Sequence, residues 1–302
     1  MTKEQKKIVG RCVRCELEKK PSEFTPPGLD EDMAGTCRDC AITRLTVEGI
    51  KDFQVCSLFY DYRHQRGEIE AINNRELMAQ RFRNVLLRIV TFYFYKKQSG
   101  LTPSYNAILN KWERYWFPKE MDAYDIAVEQ HTVSHGNLTQ YSNIAAVGLL
   151  KMYEDFDDKT IEPLLISEPF SVPLASDIVL EGTFDLVFRH AGHHTVVKFS
   201  TSKRRPTEAN LQMDMAALRI AWEYRNGPSK PARYYLYDLA SARPGLLNMD
   251  PDDEVVDNLK FWARMIRDSD IFFPRRGLTT YCKGCPFDAQ CSKWAPALKE
   301  TI

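Results

Sequence analysis

The sequence carries no net charge and lacks any long apolar run. Its 41 Lys and Arg residues balance 41 Asp and Glu residues, so it has no basic excess of the kind that draws a whole protein surface to nucleic acid. No apolar run is long enough to span a bilayer, and the start MTKEQKKIVG lacks the apolar segment of a secretory signal. We therefore expect a protein of the reducing cytoplasm that does not enter a membrane.

Motifs of several common enzyme classes are also missing. The sequence has no Gly-rich phosphate-binding loop and no Ser-nucleophile elbow, which disfavours P-loop nucleotide hydrolases and serine hydrolases. It contains no internal repeat and no low-complexity segment. With 44% hydrophobic and 12% aromatic residues among 302, it has the composition of a globular protein that can bury one large core, or a core with a small appendage.

Eight cysteines are present, and the first four form two C-x2-C pairs. The pairs are Cys12 with Cys15 and Cys37 with Cys40. Paired cysteines at this spacing in a protein that is not secreted favour metal binding over disulfides, and four thiolates match the tetrahedral preference of Zn²⁺. We predict a structural zinc knuckle over residues 1–45, similar to the small knuckles of bacteriophage proteins. Thiols without a metal are the alternative.

The other four cysteines are split between the two ends of the remaining chain. Cys282, Cys285 and Cys291 follow a C-x2-C-x5-C pattern, and Cys56 is the only cysteine left to complete the set. Three closely spaced thiols and one remote thiol suit an iron–sulfur cluster held by four cysteines. A second zinc site is the alternative.

Hydrophobic periodicity predicts a helical region followed by mixed α/β structure. The predicted helices cover 74–97, 104–117, 137–156, 209–225 and 251–270, and the predicted strands cover 168–174, 177–190, 193–200 and 232–240. The second and third strands form an antiparallel hairpin that turns at Ala191 and Gly192. We therefore expect an α/β fold that begins with a helical region.

The second cysteine set lies in a context that resembles RecB-like nucleases of the PD-(D/E)XK superfamily. The segment 53–60 around Cys56 and the segment 281–287 with Cys291 are similar to the cysteine segments of its iron–sulfur members, which include AddB and the CRISPR-associated exonucleases. The likeness covers most of 50–294. It implies a mixed central sheet flanked by helices over residues 46–302, closed by a [4Fe–4S] cluster that ties one cysteine before the core to three after it.

The same resemblance assigns positions of a catalytic site. Glu168 and the Asp185 of Gly182-Thr183-Phe184-Asp185 match metal-binding carboxylates, and Gln212 matches the glutamine of a Q-x3-Y motif. Such nucleases hold Mg²⁺ or Mn²⁺ between two carboxylates and use a lysine to orient the attacking water.

The chain departs from this pattern at the decisive position. Lys198-Phe199-Ser200 stands where the family has D/E-x-K, and Ala216 replaces the tyrosine of Q-x3-Y. A lysine at Lys198 would repel a catalytic cation, so we expect a degenerate site. Two alternatives would restore it: Lys203 as a migrated lysine, or Asp214 as a carboxylate supplied by the helix.

Three functions follow from these observations. The first is a catalytically degenerate factor that binds DNA or a protein partner in phage or mobile-element DNA metabolism, in the cytoplasm of a bacterial host. The basic cluster Lys203-Arg204-Arg205 is its local candidate for contacting nucleic acid. The second is an active Mg²⁺- or Mn²⁺-dependent DNA exonuclease or endonuclease with a rearranged site. The third, a redox protein, is disfavoured because nothing suggests a donor or acceptor site.

Overall fold

The structure of the protein is a computed structural model. It describes residues 10–11, 18–19, 42–67, 74–117, 135–201, 207–228, 231–240, 245–269, 272–273, 282, 285–287 and 291. The predicted zinc ligands Cys12, Cys15, Cys37 and Cys40, together with the basic cluster Lys203, Arg204 and Arg205, lie outside the described residues.

The described residues form helices and strands that alternate after a helical region. The helices are α1 (Val47–Val55), α2 (Ser57–Tyr60), α3 (Asn74–Gln98), α4 (Tyr105–Trp116), α5 (His135–Phe156), α6 (Glu208–Asn226) and α7 (Asp253–Arg267), with a π-helical turn after α2 at Asp61–Gln65. The strands are β1 (Gly10–Arg11), β2 (Glu18–Lys19), β3 (Thr43–Thr46), β4 (Glu162–Ala175), β5 (Ile178–His190), β6 (His193–Ser200), β7 (Ala232–Asp238) and β8 (Gly245–Asn248). None of these helices combines the length and apolar character that crossing a membrane requires.

Six strands form one mixed sheet. Its order is β3-β5-β6-β7-β8, and β4 pairs with β5. The pairs β3–β5 and β6–β7 are parallel, and the other pairs are antiparallel. The predicted hairpin turn is confirmed: Ala191 and Gly192 have φ of 48° and 80°, as a two-residue turn with both central residues left-handed requires. The predicted mixed α/β architecture, a central sheet flanked by helices, is therefore present.

Described helices cover both faces of the sheet, and each interface is a separate apolar core. One core joins α3, α4 and α5 to side chains of β5, β6 and β7 that include Leu186, Val197 and Tyr237. The other joins α1, α6 and α7 to the opposite face, which includes Val187, Val196, Leu236 and Tyr234. Neighbouring residues of each strand enter the two cores in turn, as expected of strands that are buried on both faces.

One edge of β5 is divided between two partners. Strand β4 pairs along the whole of β5, whereas β3 pairs with residues 178–181 and β6 with residues 186–190. Residues 182–185 of β5 therefore have neither β3 nor β6 beside them, and residues 198–200 of β6 pair only with β7. We call this divergence, bounded by residues 182–185 and 198–200, the β5–β6 fork.

Strand β4 differs most from its prediction. It begins at Glu162 rather than at residue 168, and it is not a short strand. The prolines Pro163, Pro169 and Pro173 break its pattern in the sequence. They are tolerated because β4 pairs on one side only, with β5, and an edge strand has N–H positions that need no partner.

The strands β3 and β8 were not predicted, because four residues are too few for an alternation to show. Strand β3 also crosses the expected boundary after residue 45, since Thr43–Thr46 pairs with β5 of the main sheet.

Gly148 provides a direct test of the packing of α5 on the sheet. A Cβ atom at this position would lie 1.9 Å from the Leu239 carbonyl oxygen just after β7. We expect Gly148→Ala to lower the free energy of unfolding by about 2 kcal/mol or more, because the backbones must separate. Urea unfolding measures the effect. The control is Val147→Ala at the neighbouring exposed position, which should change it by less than about 0.5 kcal/mol. Equal stabilities of the two variants would contradict the close approach.

Candidate functional site at the β5–β6 fork

Asp185 lies on β5 within the fork. Its carboxylate Oδ2 accepts a hydrogen bond from the Phe199 backbone N–H at 2.8 Å, so the side chain takes the place of a backbone acceptor where the two strands separate. Burial raises the pKa of Asp185, and the charges of Lys198 and Arg83 and the Phe199 N–H oppose this rise. The nearby charge of Asp214 raises the same pKa further. The fork therefore contains a half-buried carboxyl group with reduced acidity.

Lys198 and Ser200 project from β6 on the face covered by α6. Lys198 pairs with Leu236, which belongs to the core beneath α6, and Ser200 follows two residues later on the same face. The charge of Lys198 acts on both Asp185 and Lys51, so its ammonium group lies close to both. Among the described residues no carboxylate is within ion-pair distance of Lys198. Ser200 is 8% exposed, and its hydroxyl has no hydrogen-bond partner there.

A second acid–base pair closes the site. Lys51 Nζ lies 2.8 Å from Asp214 Oδ1, and the two side chains are 19% and 17% exposed. Lys51 is held in place because α1 starts directly after β3, where the Thr46 side chain caps the helix by accepting the Gly49 N–H at 3.1 Å. Burial lowers the pKa of Lys51, and the charge of Asp214 offsets this.

Glu168 and Gln212 are the other two predicted site residues. Glu168 on β4 is about half exposed, and its carboxylate lies 3.6 Å from the Arg225 guanidinium at the end of α6. Gln212 on α6 has a buried side-chain oxygen without a hydrogen-bond partner among the described residues. The structure thus brings Asp185 and Lys198 together with Asp214 and directs Glu168 to Arg225. No motif in the sequence marks Lys51, and sequence reasoning missed it.

Gly182 is required by the strand beside the fork. It pairs with Phe170 of β4, and a Cβ atom at Gly182 would lie 2.4 Å from the Phe170 ring. The Gly182-to-Asp185 segment therefore holds its place in the sheet through close packing as well as hydrogen bonding.

The charge balance decides what the site can hold. Asp185, Asp214 and Glu48 supply the acidic groups, and Lys51, Lys198 and Arg83 supply the cations. Within the described part of the chain, no three His, Cys, Asp or Glu side chains are grouped so that they could hold a metal ion. Lys51 is already paired with Asp214, and the charge of Lys198 acts on Asp185, so these two ammonium groups oppose a divalent cation at the carboxylates.

Four cysteines of the second set lie among the described residues, and three share one apolar cluster. Cys56 stands between α1 and α2, and it packs with Cys285 and Cys291 against a small core of Leu58, Tyr62 and Phe287. Cys282 lies beside them in the chain, where its carbonyl accepts the Cys285 N–H at 3.4 Å. Three half-buried thiols from distant parts of the chain therefore meet on one apolar cluster, but among the described residues the four cysteines do not form a group that could hold a metal ion.

The same two ends are joined by hydrogen bonds. The Ser57 hydroxyl donates to the Phe273 carbonyl oxygen at 3.1 Å and accepts the Phe273 N–H at 3.0 Å. The junction beside Cys56 is therefore held by the protein itself, next to the cysteines.

Comparisons with known proteins identify no family. No family model matches the chain, and no curated protein matches it. A crystal structure described as that of a "putative exonuclease" from Eubacterium rectale aligns at 13% identity and a TM-score of 0.46, over 82% of this chain and 90% of that one. A crystal structure of SSO0001 aligns at 14% identity and a TM-score of 0.34, over 82% of this chain and 85% of that one. Both TM-scores are too low to establish a shared fold or a shared activity.

The raised pKa of Asp185 predicts a pH-dependent effect of Asp185→Asn. Burial raises the pKa of the wild-type carboxyl group above its unfolded value, so its contribution to stability is full below the unfolded pKa of about 3.9 and is lost as the pH rises through the folded pKa. Asparagine stays neutral and can still accept the Phe199 N–H. We expect the variant to be more stable than wild type at pH 7, with the difference shrinking toward pH 4.

Urea unfolding between pH 4 and pH 8 measures this difference. Asp157→Asn at an exposed position is the control and should show no comparable trend. A stability difference for Asp185→Asn that grows as the pH falls would show that Asp185 is stabilised in its ionised form, contrary to the prediction.

Proposed function

We propose that this protein is a nuclease-fold factor that binds DNA and does not cleave it. The observation that carries the proposal is the state of the two carboxylates at the β5–β6 fork. Asp214 is paired with Lys51 at 2.8 Å, and Asp185, whose pKa is raised by burial, lies beside the charge of Lys198. A phosphoryl-transfer site needs carboxylates that are ionised and open to a metal.

The order of the elements supports the nuclease-fold part of the proposal. The resemblance implies an aspartate on the first strand of a hairpin, D/E-x-K on the second, and a glutamine on the helix that follows. Here Asp185 lies on β5, Lys198-Phe199-Ser200 ends β6, and Gln212 lies on α6. The positions of the motif are kept, and the residue types at two of them have changed.

DNA is the preferred partner because two cations at the fork are not engaged in ion pairs among the described residues. Lys198 and Arg83 have no carboxylate within ion-pair distance in the described residues, and Arg83 is exposed. A phosphate group can therefore approach without breaking an existing ion pair. The basic segment Lys203-Arg204-Arg205 falls between β6 and α6 in the sequence, next to the fork along the chain.

Two metal centres complete the proposal as structural elements. Cys56, Cys282, Cys285 and Cys291 would hold a [4Fe–4S] cluster that clamps the start of the nuclease-fold domain to its end. Cys12, Cys15, Cys37 and Cys40 would hold zinc. In support of the zinc knuckle, β1 and β2 pair antiparallel, Gly10 with Lys19 and Arg11 with Glu18, on either side of the first C-x2-C pair.

An active nuclease is the second candidate, and one observation favours it. The charge of Asp214 acts on Asp185, so two carboxylates lie near each other. A metal could bridge them if Lys51 left Asp214. Mg²⁺ or Mn²⁺ would then supply the Lewis acid and the activated water of hydrolysis, while Asp185 and Asp214 would position it.

The proposal predicts DNA binding without hydrolysis. Full-length protein incubated with labelled single- and double-stranded DNA in Mn²⁺ should retard the DNA in a gel and leave its length unchanged. The charge balance at the fork is the reason, since it opposes binding of the catalytic cation. Cleavage that disappears in Asp185→Ala would instead establish the active nuclease. Failure to bind either form of DNA would exclude the DNA-binding factor.

The metal centres predict a defined composition. Protein purified without oxygen should contain about four irons and one zinc per chain and should be brown. Cys282→Ala should lose iron and keep zinc, whereas Cys37→Ala should lose zinc and keep iron, because the two sets are independent. Elemental analysis and the visible absorption spectrum measure both. A colourless wild-type protein with two zinc ions would replace the cluster by a second zinc site.

A further inference from the structure

We propose that the ammonium group of Lys198 takes the place of the catalytic cation, so that the β5–β6 fork binds a DNA phosphodiester group directly and without a divalent metal. This inference rests on the proposed function and assigns the ligand and the contacting residue of the same site. Lys198, at the carboxylate position of D/E-x-K, would then replace the metal ion as well as remove catalysis.

The position of Lys198 is the first argument. It is the first residue of β6 that no longer pairs with β5, and it lies on the face that carries the Lys51–Asp214 pair. Its charge acts on Asp185 across the fork. A positive charge next to Asp185 is what a metal ion bound by that carboxylate would have provided.

The second argument is that this cation is uncommitted. Lys51 is already paired with Asp214, whereas the ammonium group of Lys198 has no hydrogen bond or ion pair among the described residues. Lysine serves as a phosphate ligand through its compact charge and three donors. A half-buried ammonium group beside a carboxyl group of reduced acidity can take a phosphate oxygen at little cost in existing contacts.

Ser200 adds an unused hydrogen-bonding group nearby. Its hydroxyl is more than nine-tenths buried and has no partner among the described residues. It points to the same face as Lys198, about 6.6 Å further along the strand. Because buried polar groups in folded proteins almost always have a partner, the hydroxyl indicates a place that a ligand or a water molecule fills.

The charge of the ligand follows from the charge of the site. A phosphodiester carries one negative charge, which the ammonium group of Lys198 can balance without breaking the Lys51–Asp214 pair. The ammonium groups of Lys198 and Lys51 would repel a divalent cation. The fork therefore suits a phosphate within a DNA strand.

The first experiment measures DNA affinity as a function of salt, in EDTA and in Mg²⁺. Wild type should bind in EDTA, and Mg²⁺ should not strengthen the binding, since it only competes for the DNA phosphates. Lys198→Met should bind several-fold more weakly, with a salt dependence reduced by about one phosphate contact. Lys159→Met, at an exposed lysine in the turn before β4, is the matched control and should match wild type. Excess inorganic phosphate should compete poorly if the ligand is a phosphodiester in DNA, whereas effective competition would reassign the site to free phosphate.

The second experiment restores the metal ligand. The double variant Lys198→Glu with Ser200→Lys recreates the D/E-x-K pattern beside Asp185. We expect it to bind Mn²⁺, measured by calorimetry, where wild type does not, and adding Asp185→Ala should abolish this binding. Circular dichroism and thermal unfolding establish that the variants are folded. If the double variant does not fold, the comparison of Lys198→Met with wild type decides the question alone.

These outcomes distinguish DNA binding by the protein from the assignment of Lys198 as the contacting residue. A wild-type protein that binds no DNA overturns the proposed function. A wild type that binds DNA while Lys198→Met retains full affinity and full salt dependence overturns the assignment of Lys198 and leaves DNA binding intact. Mn²⁺ binding by wild type that requires Asp185 also overturns the assignment, because the fork would then hold a real metal ion.

Discussion

The divided edge of β5 is the constraint on which the rest of the structure depends. A strand has two edges, and β4 occupies one of them completely. Strands β3 and β6 share the other edge. Strand β3 pairs with the first part of β5 and β6 pairs with its last part, so neither strand pairs with the residues between. That gap in the pairing produces the fork and leaves Asp185 to accept the Phe199 N–H through its side chain. The candidate site lies where this strand pairing is interrupted.

The long elements could be predicted from the sequence because their patterns are long. Helices α3, α4 and α5 each have a buried stripe at helical spacing, and the structure places their ends within two residues of the prediction. The short strands could not be predicted, since four residues contain too little alternation. Strand β4 was cut short by its prolines, whose effect depends on the strand lying at an edge, and a sequence does not state which strands are edges.

Some residues of the candidate site could likewise be predicted from the sequence, and others could not. Asp185 and Lys198 are on neighbouring strands of one hairpin, so a motif read along the chain also brings them together in space. The Lys51–Asp214 pair joins α1 to α6, two elements far apart in the sequence, and only the packing of both helices on one face of the sheet creates it. Glu168 shows the opposite case: its place in the chain suggests a metal ligand, while the three-dimensional structure brings Arg225 to it.

The absence of a loop between β3 and α1 has a further consequence. Thr46 ends the strand and Val47 begins the helix, so the helix cannot adjust its position independently of the strand. If β3 slipped by one residue along β5, it would carry α1 with it by about 3.3 Å and turn Leu45 out of the core. Lys51 would then no longer reach Asp214. The Lys51–Asp214 ion pair can therefore form only when β3 is paired with β5 in the native register.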